Sequence, residues 1–402
     1  MTRVLHTADT HLGYRQYHTP ERRGDFLAAF RGVIDDAIED DVDAVVHAGD
    51  LFHDRRPGLV DILGTLEVLE ALAEAGIPFL AVVGNHETKR DAQWLDLFER
   101  LDVAVRLGSD PTVVGDTAFY GLDFVPRGQR DRLEYDFTPH DADHAALVSH
   151  GLFEPLVPDY GNVEWDAETV LDEATVEFDA MLLGDEHKPT TQQVGETWVT
   201  YCGSTERTSA SEREERGYNL VTLDDDVRIA RRGLDTRPFV FVDLELGGSE
   251  GIDRVRDRLK EHNLDGAVVH VTLEGDGESV SPARIETFAT EEGALVARVT
   301  DRRDIAVDES TPEVSFADPD EAVRERLREL GLSEAARDLD ETIRSGTVAD
   351  SNVADEIERR VEDLIDDPKT FEADPDDGSD DDSPTATVEG SHDGQSSMEE
   401  YL

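Results

Sequence analysis

One segment of the chain reads Val45-Val46-His47-Ala48-Gly49-Asp50-Leu51-Phe52-His53-Asp54, and it indicates both a fold class and a chemistry. Val45 and Val46 are typical of a buried strand, and the strand stops at Gly49-Asp50. Ligands collect at the carboxyl ends of strands in open α/β sheets, because the loops converge there. We therefore expect Asp50 to lie at such an end, where one carboxylate can bridge two metal ions.

Four other predicted strand ends carry side chains of the same kind: Asp9 with His11, Asn85 with His86, His150, and Asp185 with His187. Carboxylate and amide oxygens suit hard divalent cations, and imidazole suits Mn, Fe, Zn and Ni. Two metals about 3.5–4 Å apart need a bridging carboxylate and ligands from several loops. Asp9-Thr10-His11 alone is equally typical of a capped turn with a surface histidine. Together, the five groups predict one two-metal phosphoesterase site.

The first 235 residues alternate strand and helix patterns, which predicts a layered α/β domain at 1–235. Apolar residues recur at helical spacing over 25–40 and 60–75. Buried strands are predicted at 3–7, 45–48, 78–83, 118–122, 145–149, 180–183 and 198–202.

The pattern changes near residue 236. Residues 236–316 predict a smaller α+β domain, with strands at 239–246, 267–273 and 295–300 and helices at 251–262 and 282–292. Residues 317–366 are highly charged with apolar positions at helical intervals, which is typical of helices that dock on a partner. Residues 367–402 are acidic and almost without apolar residues, and this composition predicts disorder.

The formal net charge is −56, and the four lysines are far outnumbered by arginine. The tail does not explain this charge, because residues 367–402 hold only 12 of the 94 acidic residues. Self-repulsion of this size destabilises a compact state unless salt screens it, and the Debye length falls to about 3 Å in molar salt. The composition therefore indicates adaptation to a salt-rich cytoplasm and says little about the partner.

The single cysteine, Cys202, excludes an intrachain disulfide and fits a reducing compartment. Neither a signal peptide nor a run of about 18 apolar residues is evident in the sequence. We expect a cytoplasmic protein.

Three motifs resemble the signature of the calcineurin-type metallophosphoesterases: Asp9-Thr10-His11-Leu12-Gly13, His47-Ala48-Gly49-Asp50-Leu51-Phe52-His53 and Gly84-Asn85-His86-Glu87. With Tyr201-Cys202-Gly203-Ser204-Thr205-Glu206-Arg207, they further resemble the DNA double-strand-break repair nucleases called meiotic recombination eleven, or SbcD in bacteria. The resemblance implies a β-sandwich flanked by helices at 1–235, a DNA-capping domain at 236–316 and an ATPase-docking segment at 317–366.

The resemblance also implies the ligand sets, residue by residue. Asp9, His11, Asp50 and His187 would bind one Mn²⁺, and Asp50, Asn85, His150 and Asp185 the other, with Mg²⁺ as an alternative metal. The family usually has Gly-His-x-His where this chain reads Gly184-Asp185-Glu186-His187. Glu186 is an alternative ligand to Asp185, although side-chain alternation along a strand end favours Asp185.

The mechanism implied is in-line attack on a DNA phosphodiester by water activated between the metals. His86 would stabilise the developing charge or protonate the leaving oxygen, and His53 would contact the phosphate. Several cationic residues lie near the motifs and are predicted phosphate contacts, with chance ion pairing as the alternative: Lys89, Lys188, Arg55, Arg56, Arg90 and Arg207.

The resemblance further implies 3′-to-5′ exonuclease activity on duplex DNA, endonuclease activity on single strands and an association with the nucleoid. The expected partners are an SbcC-like coiled-coil ATPase and a second copy of the chain. The alternatives are a phosphatase or phosphodiesterase acting on nucleotides or phosphoproteins, and an acidic scaffold without metals.

The last eight residues, 395–402, resemble a sliding-clamp-binding peptide. The pattern is carried by Gln395, Met398, Tyr401 and Leu402. An unstructured terminus is the equally weighted alternative.

Overall fold

The computed structural model describes residues 1–89, 92–130, 132–157 and 165–303. The predicted docking helices of 317–366, the acidic tail and the clamp peptide lie outside the described residues. Within the part of the chain that is described, no helix is long and apolar enough to cross a membrane.

Residues up to 235 contain fourteen strands and five α-helices among those described. In chain order they are β1 (Thr2–Thr7), α1 (Pro20–Glu39), β2 (Ala44–Ala48), α2 (Leu59–Glu74), β3 (Phe79–Val82), α3 (Trp94–Arg100), β4 (Val105–Arg106), β5 (Thr112–Val114), β6 (Thr117–Leu122), α4 (Arg127–Arg130), β7 (His144–His150), β8 (Phe153–Glu154), β9 (Trp165–Asp166), α5 (Ala167–Glu173), β10 (Ala180–Gly184), β11 (Thr190–Val194), β12 (Thr197–Tyr201), β13 (Gly217–Leu223) and β14 (Arg228–Gly233).

Twelve of these strands form two six-stranded sheets. The first has the order β14-β13-β1-β2-β3-β4, and the second has the order β11-β12-β10-β7-β6-β5. Strands β1, β2 and β3 are parallel neighbours, with Leu5 opposite Val45 and Val45 opposite Phe79. Strands β7 and β10 are also parallel, with His150 opposite Gly184. The carboxyl ends of each parallel set therefore lie at one edge of their sheet.

The two sheets pack face to face, and side-chain alternation divides the core into layers. Val46 of β2 lies between the sheets together with Val148 of β7 and Leu182 of β10. The adjacent Val45 lies on the other face, where it packs with Phe26 and other residues of the helical layer. The outer face of the second sheet has its own apolar cluster around α5. The predicted layered α/β sandwich is confirmed.

The predicted elements are found with shifted ends. The helix predicted over 25–40 begins at Pro20, because proline has the helical φ and needs no hydrogen-bond acceptor in the first turn. The antiparallel pair β13–β14, which extends the first sheet beyond β1, was not predicted.

Residues after 236 form a separate three-stranded parallel sheet. Its elements are β15 (Phe239–Leu246), α6 (Ile252–Leu259), β16 (Val268–Gly275), α7 (Pro282–Glu291) and β17 (Val296–Asp301), with strand order β15-β16-β17. Val255 and Leu259 of α6 and Ile285 of α7 pack on one face of this sheet. The boundaries at 235, 316 and 366 stay predictions.

Gly84 follows β3 at a point where the backbone passes directly over Asp50. A Cβ atom at this position would overlap the backbone nitrogen and the carboxylate of Asp50. Gly24, in contrast, lies within α1 and has no neighbouring atom within 4 Å of the position of its Cβ. Only the first glycine is required by a close approach.

We therefore expect Gly84→Ala to lower the free energy of unfolding by more than about 2 kcal/mol, because the Asp50 loop must move. Gly24→Ala is the matched control, and it should raise stability by about 0.5–1 kcal/mol through helix propensity. Urea unfolding in 2–3 M KCl, followed by circular dichroism, measures both. Equal stability of Gly84→Ala and the parent chain would contradict the close approach.

Candidate metal centre

Asp50 lies at the end of β2 with its side chain buried, and its two carboxylate oxygens face different groups of residues. Oδ1 accepts a hydrogen bond from the backbone nitrogen of His86 (3.0 Å) and lies 3.5 Å from Nε2 of His150. Oδ2 lies 3.9 Å from Nε2 of His11. This arrangement is the one a bridging carboxylate needs.

The first group comprises Asp9, His11 and His187, whose ligand atoms lie within 4.8 Å of one another. The Nε2 atoms of His11 and His187 are 3.2 Å apart, and His187 Nε2 is 3.9 Å from Asp9 Oδ1. Metal–ligand bonds of about 2.1 Å place neighbouring ligand atoms about 3 Å apart. The spacing thus suits one shared cation.

The second group surrounds His150, which is fully buried. Its Nε2 lies 3.2 Å from Asn85 Oδ1 and 3.7 Å from Asp185 Oδ1. With Asp50 Oδ1, these atoms form a second set of oxygen and imidazole donors. The structure therefore brings all seven predicted metal ligands into one cluster, although their ligation of a metal stays a prediction.

Glycine and left-handed backbone conformations bring these side chains together. The φ angles of Asp9, His11, Asp50 and Asp185 are 51°, 42°, 56° and 95°, values that residues other than glycine seldom adopt. Backbone hydrogen bonds hold the turns, since Asp9 N donates to Gly49 O and His11 N to Asp50 O, both at 3.1 Å. Strain of this kind clusters at functional sites.

Two ligand histidines are oriented by contacts on their far side. Nδ1 of His150 donates to the carbonyl oxygen of Ala48 (2.8 Å), and Nδ1 of His187 donates to the carboxylate of Glu212 (2.7 Å). A proton on Nδ1 leaves Nε2 of the neutral ring as the free ligand atom.

Asp185, and not Glu186, faces the ligand cluster. The backbone nitrogen of Asp185 donates to both carboxylate oxygens of Asp9 at 3.1 Å, and its side chain approaches His150. Glu186 instead accepts a hydrogen bond from the backbone nitrogen of Lys188 (2.9 Å). The geometry favours the predicted ligand over its alternative.

His86 and His53 both lie beside the cluster. Nδ1 of His86 donates to the carbonyl oxygen of His53 (2.9 Å), and its Nε2 lies 4.0 Å from Asp50 Oδ2. The ring of His53 stacks on Tyr14 at 3.9 Å between centroids, and its Nδ1 lies 3.4 Å from Nδ1 of His11. Both predicted catalytic rings are thus held at the edge of the metal centre.

Burial and crowding of like charges shift the pKa values in this cluster. Burial, with the nearby carboxylates, raises the pKa of Asp9 and of Asp185 above the usual range. Burial lowers the pKa of His150 and His187, but neighbouring carboxylates outweigh it and raise both to about 9. Divalent cations would lower all four values, because they favour the deprotonated ligands.

The site includes residues to which the sequence assigned no role. Glu87 is buried and accepts hydrogen bonds from the backbone nitrogens of Leu51, Phe52 and Gly84, which ties the loop after β2 to the loop after β3. Burial raises its pKa to about 8. Glu87 lies within the motif Gly84-Asn85-His86-Glu87, whereas Glu212 lies in a polar loop with no distinguishing sequence pattern.

One of the predicted phosphate contacts is engaged elsewhere. Arg207 is buried, and it donates to the carbonyl oxygens of Glu212 (3.0 Å) and Glu214 (2.9 Å) and to Thr236 Oγ1 (3.2 Å). Its guanidinium makes hydrogen bonds inside the protein, so the prediction that Arg207 contacts phosphate was wrong. Lys89 lies over the ring of Trp94 at 3.6 Å.

Comparison with known proteins identifies the family. The sequence model of the calcineurin-like phosphoesterases matches residues 2–189. The DNA double-strand break repair protein Mre11 of Haloferax volcanii is 63% identical over 376 residues, which are 93% of this chain and 84% of that protein. Mre11 of Halobacterium salinarum is 58% identical over 395 residues, which are 97% and 99% of the two chains.

These matches confirm the predicted phosphodiesterase class, and the acidic composition fits relatives from halophilic organisms. The identities extend over nearly the whole chain and exceed what a shared fold alone would give. The chain therefore belongs to the Mre11 family of DNA double-strand break repair nucleases, within the calcineurin-like phosphoesterases.

Proposed function

We propose that this chain is a Mn²⁺-dependent nuclease that processes the ends of double-strand breaks. It acts as a 3′-to-5′ exonuclease on duplex DNA and as an endonuclease on single strands, together with an SbcC-like ATPase that docks on residues 317–366. The observation that carries the proposal is the convergence of two donor groups on the two oxygens of Asp50. The repair proteins named above are the second support.

The donors present fit two divalent cations. One cation would be held by Asp9, His11, His187 and Asp50. Asp50 would also bind the second cation, together with Asn85, His150 and Asp185. Mixed oxygen and imidazole ligands suit Mn²⁺, with Mg²⁺ as the harder alternative. When bound, the metals would activate water and neutralise charge on the phosphate.

The remaining chemistry belongs to the chain's own side chains. The hydrogen bond from His86 Nδ1 to the His53 carbonyl orients the ring, and Nε2 is directed towards the metal centre. From this position His86 can donate a proton to the leaving 3′ oxygen or a hydrogen bond to the phosphate. His53 is fixed by its stack on Tyr14 and presents its ring to the same space.

The proposal is tested by nuclease assays in high salt on duplex DNA, single-stranded DNA and nucleotides. With Mn²⁺, we expect cleavage of DNA by the parent chain and a loss of about 10²-fold or more in His86→Ala, because a positioned acid contributes about that much. Asp185→His restores the family motif and should retain activity. Hydrolysis of nucleotides with intact DNA would instead establish the phosphatase alternative.

Metal binding should strengthen as pH rises. His150 and His187 have pKa values raised to about 9, so each must release a proton before Nε2 can bind a cation. We expect Mn²⁺ affinity to increase about tenfold or more between pH 7 and pH 9 and then to level off. Isothermal titration calorimetry in 2–3 M KCl measures this, and a pH-independent affinity would contradict the ligand assignment.

We also propose that two copies of the chain associate through the start of α2. Leu59, Val60 and Leu63 are 70%, 68% and 55% exposed, although all three are large and apolar. They occupy positions i, i+1 and i+4, and so form one patch on the first turns of the helix. Exposed apolar clusters on α-helices are typical of subunit interfaces.

A charge within this patch should separate the copies. We expect Leu63→Glu to convert a dimer to a monomer, as measured by light scattering coupled to size-exclusion chromatography in high salt. Val113→Glu is the matched control, because Val113 is 56% exposed but lies on β5. A dimer that persists in Leu63→Glu would place the interface elsewhere.

Two further proposals concern segments outside the described residues. Residues 395–402 would bind a sliding clamp through Gln395, Met398, Tyr401 and Leu402, and the protein would act at the nucleoid in the cytoplasm. A clamp pull-down that is unchanged by Gln395→Ala with Tyr401→Ala would remove the first.

A further inference from the structure

Glu212 lies directly behind the predicted metal ligand His187, and the chemistry proposed above does not use it. Its Oε1 accepts a hydrogen bond from Nδ1 of His187 at 2.7 Å. The side chain is 11% exposed, so water screens this contact little. A carboxylate only accepts hydrogen bonds, and the proton in this pair therefore lies on Nδ1 of His187.

Glu212 is itself held by several donors. Its Oε1 accepts from Thr208 Oγ1 (2.6 Å), and its Oε2 accepts from Thr208 N (3.0 Å) and from Arg216 Nη1 (3.2 Å). Arg216 is almost fully buried and also donates to the carbonyl oxygen of His187 (3.2 Å). The buried guanidinium of Arg216 and the residue Thr208 thus fix both carboxylate oxygens of Glu212. Arg216 also fixes the backbone of His187.

The loop that carries Glu212 is anchored on its other side. Arg213 makes two hydrogen bonds to the carboxylate of Asp243 on β15, at 2.6 and 2.8 Å. Arg207 donates to Thr236 Oγ1, just before the same strand. These contacts do not involve the carboxylate of Glu212, so the loop keeps its anchors when that carboxylate is replaced.

We propose that Glu212 is the positioning residue of His187. It holds a proton on Nδ1, which fixes the ring and directs Nε2, the atom that would bind the cation, towards His11 and Asp9. Carboxylates placed behind metal-binding histidines also raise the basicity of the ligand atom. The inference rests on the proposed metal centre, and it concerns only the group that contains Asp9, His11 and His187.

The test is Mn²⁺ titration calorimetry of the full chain in high salt, with Glu212→Gln, Glu212→Ala and Glu214→Gln. Glu214 is the matched control, because it is two residues away, half exposed and 3.7 Å from the same guanidinium. We expect one of two binding events to weaken about 10-fold in Glu212→Gln and up to about 100-fold in Glu212→Ala. The other event, and both events in Glu214→Gln, should change less than about threefold.

Two readouts distinguish positioning from a structural role. The unfolding temperature of the metal-free chain should fall only slightly in Glu212→Gln, since the amide oxygen still accepts from His187 Nδ1 while the amide nitrogen faces the donors of Thr208 and Arg216. At a pH at which the ring of His187 is neutral, the ¹⁵N spectrum of labelled histidine should show the proton on Nδ1 in the parent and loss of that tautomer preference in Glu212→Ala. A much lower unfolding temperature with equal weakening of both binding events would overturn the inference.

Failure of this inference is distinguishable from failure of the proposed function. Unchanged Mn²⁺ binding in Glu212→Ala, with DNA cleavage by the parent, would overturn the positioning role and leave the nuclease intact. Selective weakening of one event, in a parent that binds Mn²⁺ but cleaves no DNA, would support the positioning role and overturn the nuclease.

Discussion

Asp50 is held with a left-handed backbone while its carboxylate is buried between two groups of ligands, and the rest of the centre depends on this placement. A residue in that conformation costs about 1–3 kcal/mol and persists only where its surroundings determine it. Gly84 passes over the Asp50 backbone, and His86 N donates to Oδ1. The loops after β2 and β3 therefore hold each other in place. The packed β-sandwich beneath them compensates for the cost of their strained backbone.

Burial makes the same carboxylates unfavourable unless positive charge accompanies them. Asp9 and Asp185 have raised pKa values because both are buried and because other carboxylates lie close to them. Proteins relieve such repulsion between carboxylates by protonating them or by binding cations. Only bound cations leave every carboxylate oxygen deprotonated and able to act as a ligand. A chain with a formal charge of −56 therefore relies on cations at two scales: screening salt over its surface, and divalent metal within its proposed site.

The sequence predicted that the proposed ligand side chains would lie together, because their placement follows from local rules. A buried parallel strand that ends in Gly-Asp or Gly-Asn puts that side chain at the ligand-binding edge, whatever the rest of the chain does. Glu212 obeys no such rule, since two further strands, β11 and β12, and a polar loop separate it from His187 in the sequence. The prediction for Arg207 fails for a similar reason, because its guanidinium contacts Thr236, which is distant in sequence, and carbonyl oxygens of the irregular loop that follows the motif. The sequence therefore predicts candidate functional side chains at strand ends, but it does not predict the outer contacts that support them.

Asp185 is the position at which the sequence resemblance implies a histidine, and the geometry gives this difference a consequence. Its backbone nitrogen binds Asp9 whatever side chain it carries, so the loop after β10 does not depend on imidazole. Its carboxylate instead adds a third formal charge to those of Asp9 and Asp50. In the proposed metal-bound site, the additional charge offsets one positive charge of the two cations, which weakens attraction for phosphate and tightens the hold on the metals. In concentrated salt, long-range electrostatic attraction contributes little to the binding of a polyanionic substrate, because salt screens the attraction within about 3 Å. We therefore expect a carboxylate at this position to favour retention of the metals above all.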